Sequence, residues 1–246
     1  MLSKAQNKYI RSLSQQKYRK EYNVFIVEGD KIAREWLASD ARIKTIAALG
    51  KWITENSKLI EKHPESEVLM VNEDELSAIS MLSTANMVLL VVERHDAVLP
   101  KSLNSWAIAL DNIQDPGNMG TIIRIADWYG IKHIFSSQGS VDVYNPKVVQ
   151  AAMGGHLRVQ THTVDLQTVL PAFNQPIYAA LLDGENIYKA PKAEIGIIAI
   201  GNESAGLSPE VATLATHRVM IPRIGGAESL NAAVSTGIIC ALLVGN

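Results

Sequence analysis

The stretch DNIQDPGNMGTIIRIADWYG, Asp111 to Gly130, decides how this chain is read. Just ahead of it and into it, Trp106 to Asn112 (WAIALDN) has the short apolar character of a buried strand. Asp115, Pro116, Gly117 and Asn118 then break the run with four turn-favouring residues. Behind them Ile122, Ile123, Ala126 and Tyr129 recur at helical spacing. The reading is strand, tight loop, helix, with Asn118 or Thr121 as the expected cap. In open α/β sheets such loops sit at the carboxyl ends of strands, where ligands bind. Arg124 is expected within the first two helical turns, although the helix dipole favours cations at the other end. Two readings of it stand: an arginine on a solvated face, or a binder of an anion or polarised oxygen at the mouth of a site.

Working outward, the same alternation fills residues 106–246. HIFSS, LRVQTHTV, PIYAALLD, EIGIIAIG and HRVMIPRI are further strands, and a helix is expected near Pro146 to Gly154. Their near-continuous apolar runs suit parallel strands covered on both faces. Two more loops stand out. GNESAGLSPE follows the strand ending at Gly201 and opens a helix at Ser208 with Pro209 in its first position. IPRIGGAESLNAAVSTGIICALL leaves a strand through a glycine pair and enters a helix near Ser229. From Leu230 to Val244 that helix is apolar nearly all round, so it is buried on all sides, either inside the fold or at a subunit interface.

The N-terminal third reads as a small α/β unit. VFIVEG, RIKTIAAL, EVLMV and ANMVLLVVE are its strands. Its helices are DKIAREWLAS, capped at Asp30, a polar one from Trp52 to Lys62, and one opening at NEDELSAI. The polar stretch DAVLPKSLNS lacks periodicity. The expected layout is therefore a domain over 1–97, a linker over 98–105 and a second domain over 106–246.

At 246 residues and 47% hydrophobic, the chain can bury a sizeable core. A targeting segment is not expected, and no apolar run approaches the roughly 20 residues a membrane span needs. The single cysteine, Cys240, excludes an internal disulfide framework and fits a reducing cytoplasm. Neither His63 nor His95 has a partner at metal-like spacing, and no metal is expected. The net charge of −2 is unevenly spread: residues 1–20 hold Lys4, Lys8, Arg11, Lys17, Arg19 and Lys20 without one acid. With Tyr9 and Tyr18 interleaved, this arm is either a solvated helix or a surface for phosphates and bases. Gly201 to Gly206 has P-loop glycine spacing, but Leu207 stands where lysine is required. No G-x-G-x-x-G follows a predicted strand, which disfavours a dinucleotide-dependent oxidoreductase.

Taken together, DNIQDPGNMGTIIRIAD, AIGNESAGLS and MIPRIGGAESLNAAVS resemble the three motifs of the SpoU (TrmH-like) branch of the SPOUT methyltransferases. FIVEGDKIAREWL looks like part of the RNA-binding domain that many members carry ahead of the catalytic one. The resemblance implies a trefoil-knotted α/β domain acting as a homodimer. It would use S-adenosylmethionine to methylate a ribose 2′-hydroxyl, in ribosomal RNA first and transfer RNA as the alternative. A non-catalytic RNA-binding protein on the same fold is the rival. By position, Asn118, Arg124, Glu203, Ser229 and Asn231 fall on the family's catalytic residues, and Leu181, Gly201, Ile221 and Leu230 would line the cofactor. In those roles Arg124, which stays protonated, would hold a phosphate and stabilise the developing alkoxide. Glu203 would pair with Arg124 or Asn118. Ser229 and Asn231 would anchor the cofactor loop. The chain departs from the family at Asn86-Met87, where members often have Gln-Gly, and at Gln150 and Ala152, where many have arginine and serine.

Overall fold

The structure, a computed structural model, describes residues 2–95 and 97–245. The chain divides into two compact units, Met1–Asp96 with Tyr144–Leu157, and Ala97–Val143 with Arg158–Asn246.

In the first unit the elements run α1 (Lys4–Ser12), α2 (Gln16–Glu21), β1 (Val24–Glu28), α3 (Asp30–Ala38), β2 (Ile43–Leu49), α4 (Gly50–Glu55), α5 (Ser57–Ile60), β3 (Glu67–Val71), α6 (Glu73–Ile79) and β4 (Val88–Glu93). The sheet order is β1-β4-β2-β3, with β4 antiparallel to both neighbours and β2 parallel to β3. Every residue of β1 is buried because both faces are covered. Phe25 and Val27 pack with Trp36, Trp52 and Val149, whereas Val24 and Ile26 pack with Ile10, Leu13 and Ile79. Val149 lies on the later helix Pro146–Ala152, and its burial beside Phe25 is why residues 144–157 group with this unit rather than continuing the second.

Local chemistry moves several expected boundaries. Gly29, at φ 97°, is the residue ahead of α3, and Asp30 is its first residue. The Asp30 carboxylate accepts from Arg34 Nε (2.7 Å) and Trp52 Nε1 (2.6 Å). The single polar helix expected over 52–62 is two, because Asn56 turns its side-chain amide back onto the Trp52 carbonyl at 2.8 Å. Arg19 is not part of a basic surface: it is 2% exposed and donates to the carbonyls of Leu13 and Ser14, each at 2.8 Å. Lys4, Lys8, Arg11, Lys17 and Lys20 remain exposed.

The second unit contains β5 (Ala107–Leu110), α7 (Pro116–Trp128) and β6 (His133–Ser136). After α8, the Pro146–Ala152 helix of the first unit, come β7 (Gln160–Thr163), α9 (Leu166–Ala172), β8 (Ile177–Asn186), β9 (Ile197–Ile200), α10 (Pro209–Ala212), β10 (His217–Met220) and α11 (Ala232–Leu243). All six strands are parallel, in the order β10-β8-β9-β5-β6-β7. β5 is therefore interior, and its four residues are all buried, as its apolar run requires. Leu110 pairs with Ile200, so the chain leaves β5 and β9 side by side at the carboxyl edge. Among the described residues no helix is long and apolar enough to cross a membrane.

Candidate active site

The loop after β5 is built by carboxylates. Asp111 is buried, and its Oδ2 accepts from the backbone N–H (2.8 Å) and hydroxyl (2.6 Å) of Ser208. This ties the end of β5 to the start of α10. Asp115 is the cap of α7: its Oδ1 accepts from Asn118 N–H at 2.7 Å, with Pro116 in the first helical position. The expected caps, Asn118 and Thr121, instead lie inside the helix. Arg124 is then the ninth helical residue, past the first two turns where the sequence reading put it.

The loop after β9 is held as tightly. Asn202 and Gly206 exchange backbone hydrogen bonds at 2.9 Å in both directions. The Asn202 side-chain Oδ1 accepts from Ser204 and Ala205 N–H, and its Nδ2 donates to the Asn112 carbonyl at 2.8 Å. A Cβ on Gly201 would stand 2.1 Å from the Gly206 carbonyl carbon and the Leu207 nitrogen, so only glycine fits beneath this turn.

Between the two loops runs a directed chain of hydrogen bonds. Asn231 Nδ2 donates to Asn118 Oδ1 at 2.7 Å, and Asn118 Nδ2 donates to Glu203 Oε1 at 2.6 Å. Asn231 also caps α11, accepting from Ala233 and Val234 N–H at 3.0 and 3.2 Å. The helix expected near Ser229 accordingly starts three residues later. The network fixes the orientation of both amides. Asn118, 7% exposed, has each end of its amide engaged, and one Glu203 oxygen remains without a partner among the described residues.

Glu203 opens onto a cavity of about 750 Å³ in the second unit, which Leu181, Gly201, Ile221, Ser229 and Leu230 also line. All four residues expected at a cofactor are thus brought together, with Glu203 and Ser229 of the catalytic set. The wall is mainly apolar, from Leu181, Ile200, Ile221 and Ile239. Its rim is the segment between β10 and α11. Among the described residues, the turn and loop backbone hydrogen bonds include none from residues 221–230, and the Ala227 carbonyl accepts from Arg223 Nη1 at 3.2 Å, so most of the segment's peptide groups are open to a ligand. An apolar slot edged by peptide groups and by the carboxylates of Glu203 and Glu228 fits a molecule with a flat ring and a polar tail.

Arg124 is not in this set. It is exposed, forms no hydrogen bond or ion pair with a described residue, and lies outside the cavity lining. From Asn118 it is six residues on, about 9 Å along the helix and turned by about 240°. Trp128, one turn further on the same face, is 84% exposed. Sequence reasoning missed Asp111, Asp115 and Asn202 as builders of the site. The signal was present in the turn-forming pairs Asp111-Asn112, Asp115-Pro116 and Gly201-Asn202.

Comparison with known proteins gives a consistent picture. The SpoU rRNA Methylase family model matches residues 105–241, and the MRM3-like substrate binding domain matches residues 4–90. A TrmH-family protein from Porphyromonas gingivalis is 36% identical, with a TM-score of 0.85 over 98% of both chains. An AdoMet-bound rRNA methyltransferase from Sinorhizobium meliloti is 29% identical, with a TM-score of 0.88 over 98% of this chain and 95% of that one. The 23S rRNA guanosine 2′-O-methyltransferase RlmP of Bacillus subtilis is 28% identical over 93% of this chain and 92% of its own.

Proposed function

The chain belongs to the SpoU rRNA methylase family, and on that premise we propose that it methylates a ribose 2′-hydroxyl of ribosomal RNA with S-adenosylmethionine as donor. The observation that carries the reading is the Asn231–Asn118–Glu203 chain at the lip of the 750 Å³ cavity. Two relatives that match along nine tenths or more of both chains, RlmP and the Sinorhizobium meliloti protein, are rRNA methyltransferases, which favours ribosomal over transfer RNA.

S-adenosylmethionine, when bound, supplies an electrophilic sulfonium methyl. Leu181, Gly201, Ile221 and Leu230, which line the cavity, would hold it there, and Ser229 would add a hydroxyl. A ribose hydroxyl is a poor nucleophile and must lose its proton as the methyl moves. Glu203, aimed by Asn118, orients that hydroxyl through its remaining oxygen, and Asn118 and Asn231 act as positioning residues. Arg124 holds the neighbouring phosphate and stabilises the developing alkoxide, its guanidinium remaining protonated. The proton leaves through phosphate or water.

The placement of Arg124 supports a homodimer. Arg124 and Trp128 share one exposed face of α7, and α11, packed on α7, exposes Val234 at 51%. An apolar face of this kind suits a two-fold interface. Across it, Arg124 serves the cavity of the second copy. The threaded chain path implied by the resemblance belongs to the same reading. In the first unit, Lys4, Lys8, Arg11, Lys17 and Lys20 meet phosphates, and Tyr22, 44% exposed and stacked on Tyr18, offers a ring to a base. A cytoplasmic location accords with a lone buried cysteine.

Complementation tests this reading. Arg124→Ala and Glu203→Gln are each expected to be inactive, and mixing them after subunit exchange restores up to a quarter of wild-type activity, since half of the mixed dimers' sites regain both residues. Absence of recovery in a mixture shown to contain hybrid dimers would remove Arg124 from the partner's site.

A further inference from the structure

The first unit contains a second cavity, about 240 Å³, lined by Ile26, Glu28, Met81, Leu82, Lys147 and Gln150 among others. It is below the roughly 300–1,000 Å³ of drug-sized sites, which suits one ring system. Nothing in the methyl-transfer chemistry uses it. Its floor is a carboxylate taken out of water: Glu28 is 5% exposed, and burial pushes its carboxyl above the usual carboxylate range. The Ser80 hydroxyl donates to Oε2 and the Met81 N–H donates to Oε1 at 2.7 Å. Each oxygen of an ionised carboxylate accepts about two hydrogen bonds, so one acceptor site is left on each. The side chains of Lys147 and Gln150 form no hydrogen bond or ion pair with a described residue.

We propose that this cavity takes one unpaired guanine of the RNA substrate by its Watson–Crick edge, with Glu28 as acceptor and Gln150 and Lys147 as donors. The inference rests on the reading that the first unit holds RNA. Two adjacent acceptor sites on Glu28 match the adjacent N1–H and N2–H donors of guanine, and O6, next along the same edge, meets Gln150 or Lys147. Adenine, cytosine and uracil each set an acceptor beside their donor on this edge, so each would face Glu28 with lone pair against lone pair. Ile26, Met81, Leu82 and Pro146 supply the apolar contacts for the ring faces.

The test uses the full chain without S-adenosylmethionine and the labelled ribo-pentamers UUGUU, UUAUU, UUCUU and UUUUU, with binding followed by fluorescence anisotropy. UUGUU is expected to bind on the order of tenfold more tightly than the other three. Glu28→Gln keeps an oxygen for the Met81 N–H but sets a donor against guanine, and Ala151→Phe fills the cavity while leaving Glu28 in place. Both variants are expected to level the four affinities, with thermal unfolding confirming that they fold. Equal affinities in the wild type, a preference for another base, or a guanine preference that survives in a folded variant would overturn the assignment. S-adenosylmethionine-induced stabilisation, read on the same samples, separates the two readings: its absence refutes the proposed function, whereas a missing base preference beside normal stabilisation refutes only this subsite.

Discussion

Replacing Asn118 by aspartate changes one atom at the centre of the site and inverts its hydrogen-bond polarity. In the wild type, Asn118 Nδ2 donates to Glu203 Oε1 at 2.6 Å. In Asn118→Asp an oxygen stands there, and two carboxylates face each other at hydrogen-bond distance. Two full charges 2.6 Å apart repel by about 6 kcal/mol at an effective dielectric constant of 20, so the pair keeps one proton instead. If the shared proton is held about 2 pKa units above the ordinary carboxylate value, the linked free energy is about 2.7 kcal/mol. The sign follows from linkage. The folded variant binds a proton that the unfolded chain has released, so its stability is greatest at low pH and falls as pH rises through the raised value. Asn118→Ala lacks the second carboxylate and is the reference. Urea unfolding from pH 5 to 8 is the assay, reading the difference between the two variants. Asn118→Asp is expected to lose about 1.4 kcal/mol relative to Asn118→Ala between pH 5 and pH 8, the part of the roughly 2.7 kcal/mol that falls above pH 5. A difference independent of pH would show that residues 118 and 203 do not face each other as described, and the chain of amides aiming Glu203 would fall with it.

Other consequences separate construction from chemistry. Arg124→Ala and Arg124→Lys are expected to change stability by no more than about 0.5 kcal/mol, because the side chain is exposed and without a described partner. Both should lower methyl transfer, alanine by about 100–1,000-fold and lysine by less, since lysine keeps the charge but not the planar fork; melting curves and turnover on the same preparations decide. Gly201→Ala should destabilise the protein by more than about 2 kcal/mol, because its methyl meets backbone rather than a movable side chain. It should also lose most of the stabilisation a cofactor gives, about 2.7 kcal/mol at 100 times Kd. His162, buried at 3.1 Å from His133, has its pKa pushed down to about 4 by burial and by that neighbour. Between pH 6.5 and 4 the unfolded chain binds the proton first, so stability should fall as pH falls through that window. His162→Phe should flatten the slope in thermal unfolding; an unchanged slope would assign it elsewhere.

The architecture was legible wherever local pattern and tertiary context agree. Nine of the ten strands correspond to apolar runs visible in the sequence, β7 (QTHT) being the polar exception at the sheet edge, and the parallel sheet accords with the near-continuous apolar runs of its interior strands. Helix α9 was not read, because LQTVLPA is short and carries Pro171 inside it. The cap of α7 was misplaced, by three residues for Asn118 and six for Thr121, because Asp115, Asn118 and Thr121 are all good caps, and only the Pro116 position distinguishes them. Arg19 shows the opposite limit: a cation amid other cations, it is buried by two backbone carbonyls that no periodicity reveals. Met87 lies at φ 56°, a left-handed conformation in which glycine is at ease and which no local pattern announces. In the site, the motifs pointed to every residue of the Asn118–Glu203–Asn231 chain. They could not show that Arg124 stands apart from it, because that depends on which face of α7 the sheet takes up.

The most direct test of the account is transfer of labelled methyl from S-adenosylmethionine to unmodified ribosomal RNA, with transfer RNA in parallel, followed by alkaline digestion. A 2′-O-methyl group blocks cleavage at its own linkage. The account predicts label in alkali-resistant dinucleotides from ribosomal RNA, absent with Glu203→Gln. Label released as mononucleotides would contradict ribose methylation, and no transfer to naked or particle-bound ribosomal RNA would contradict the function itself.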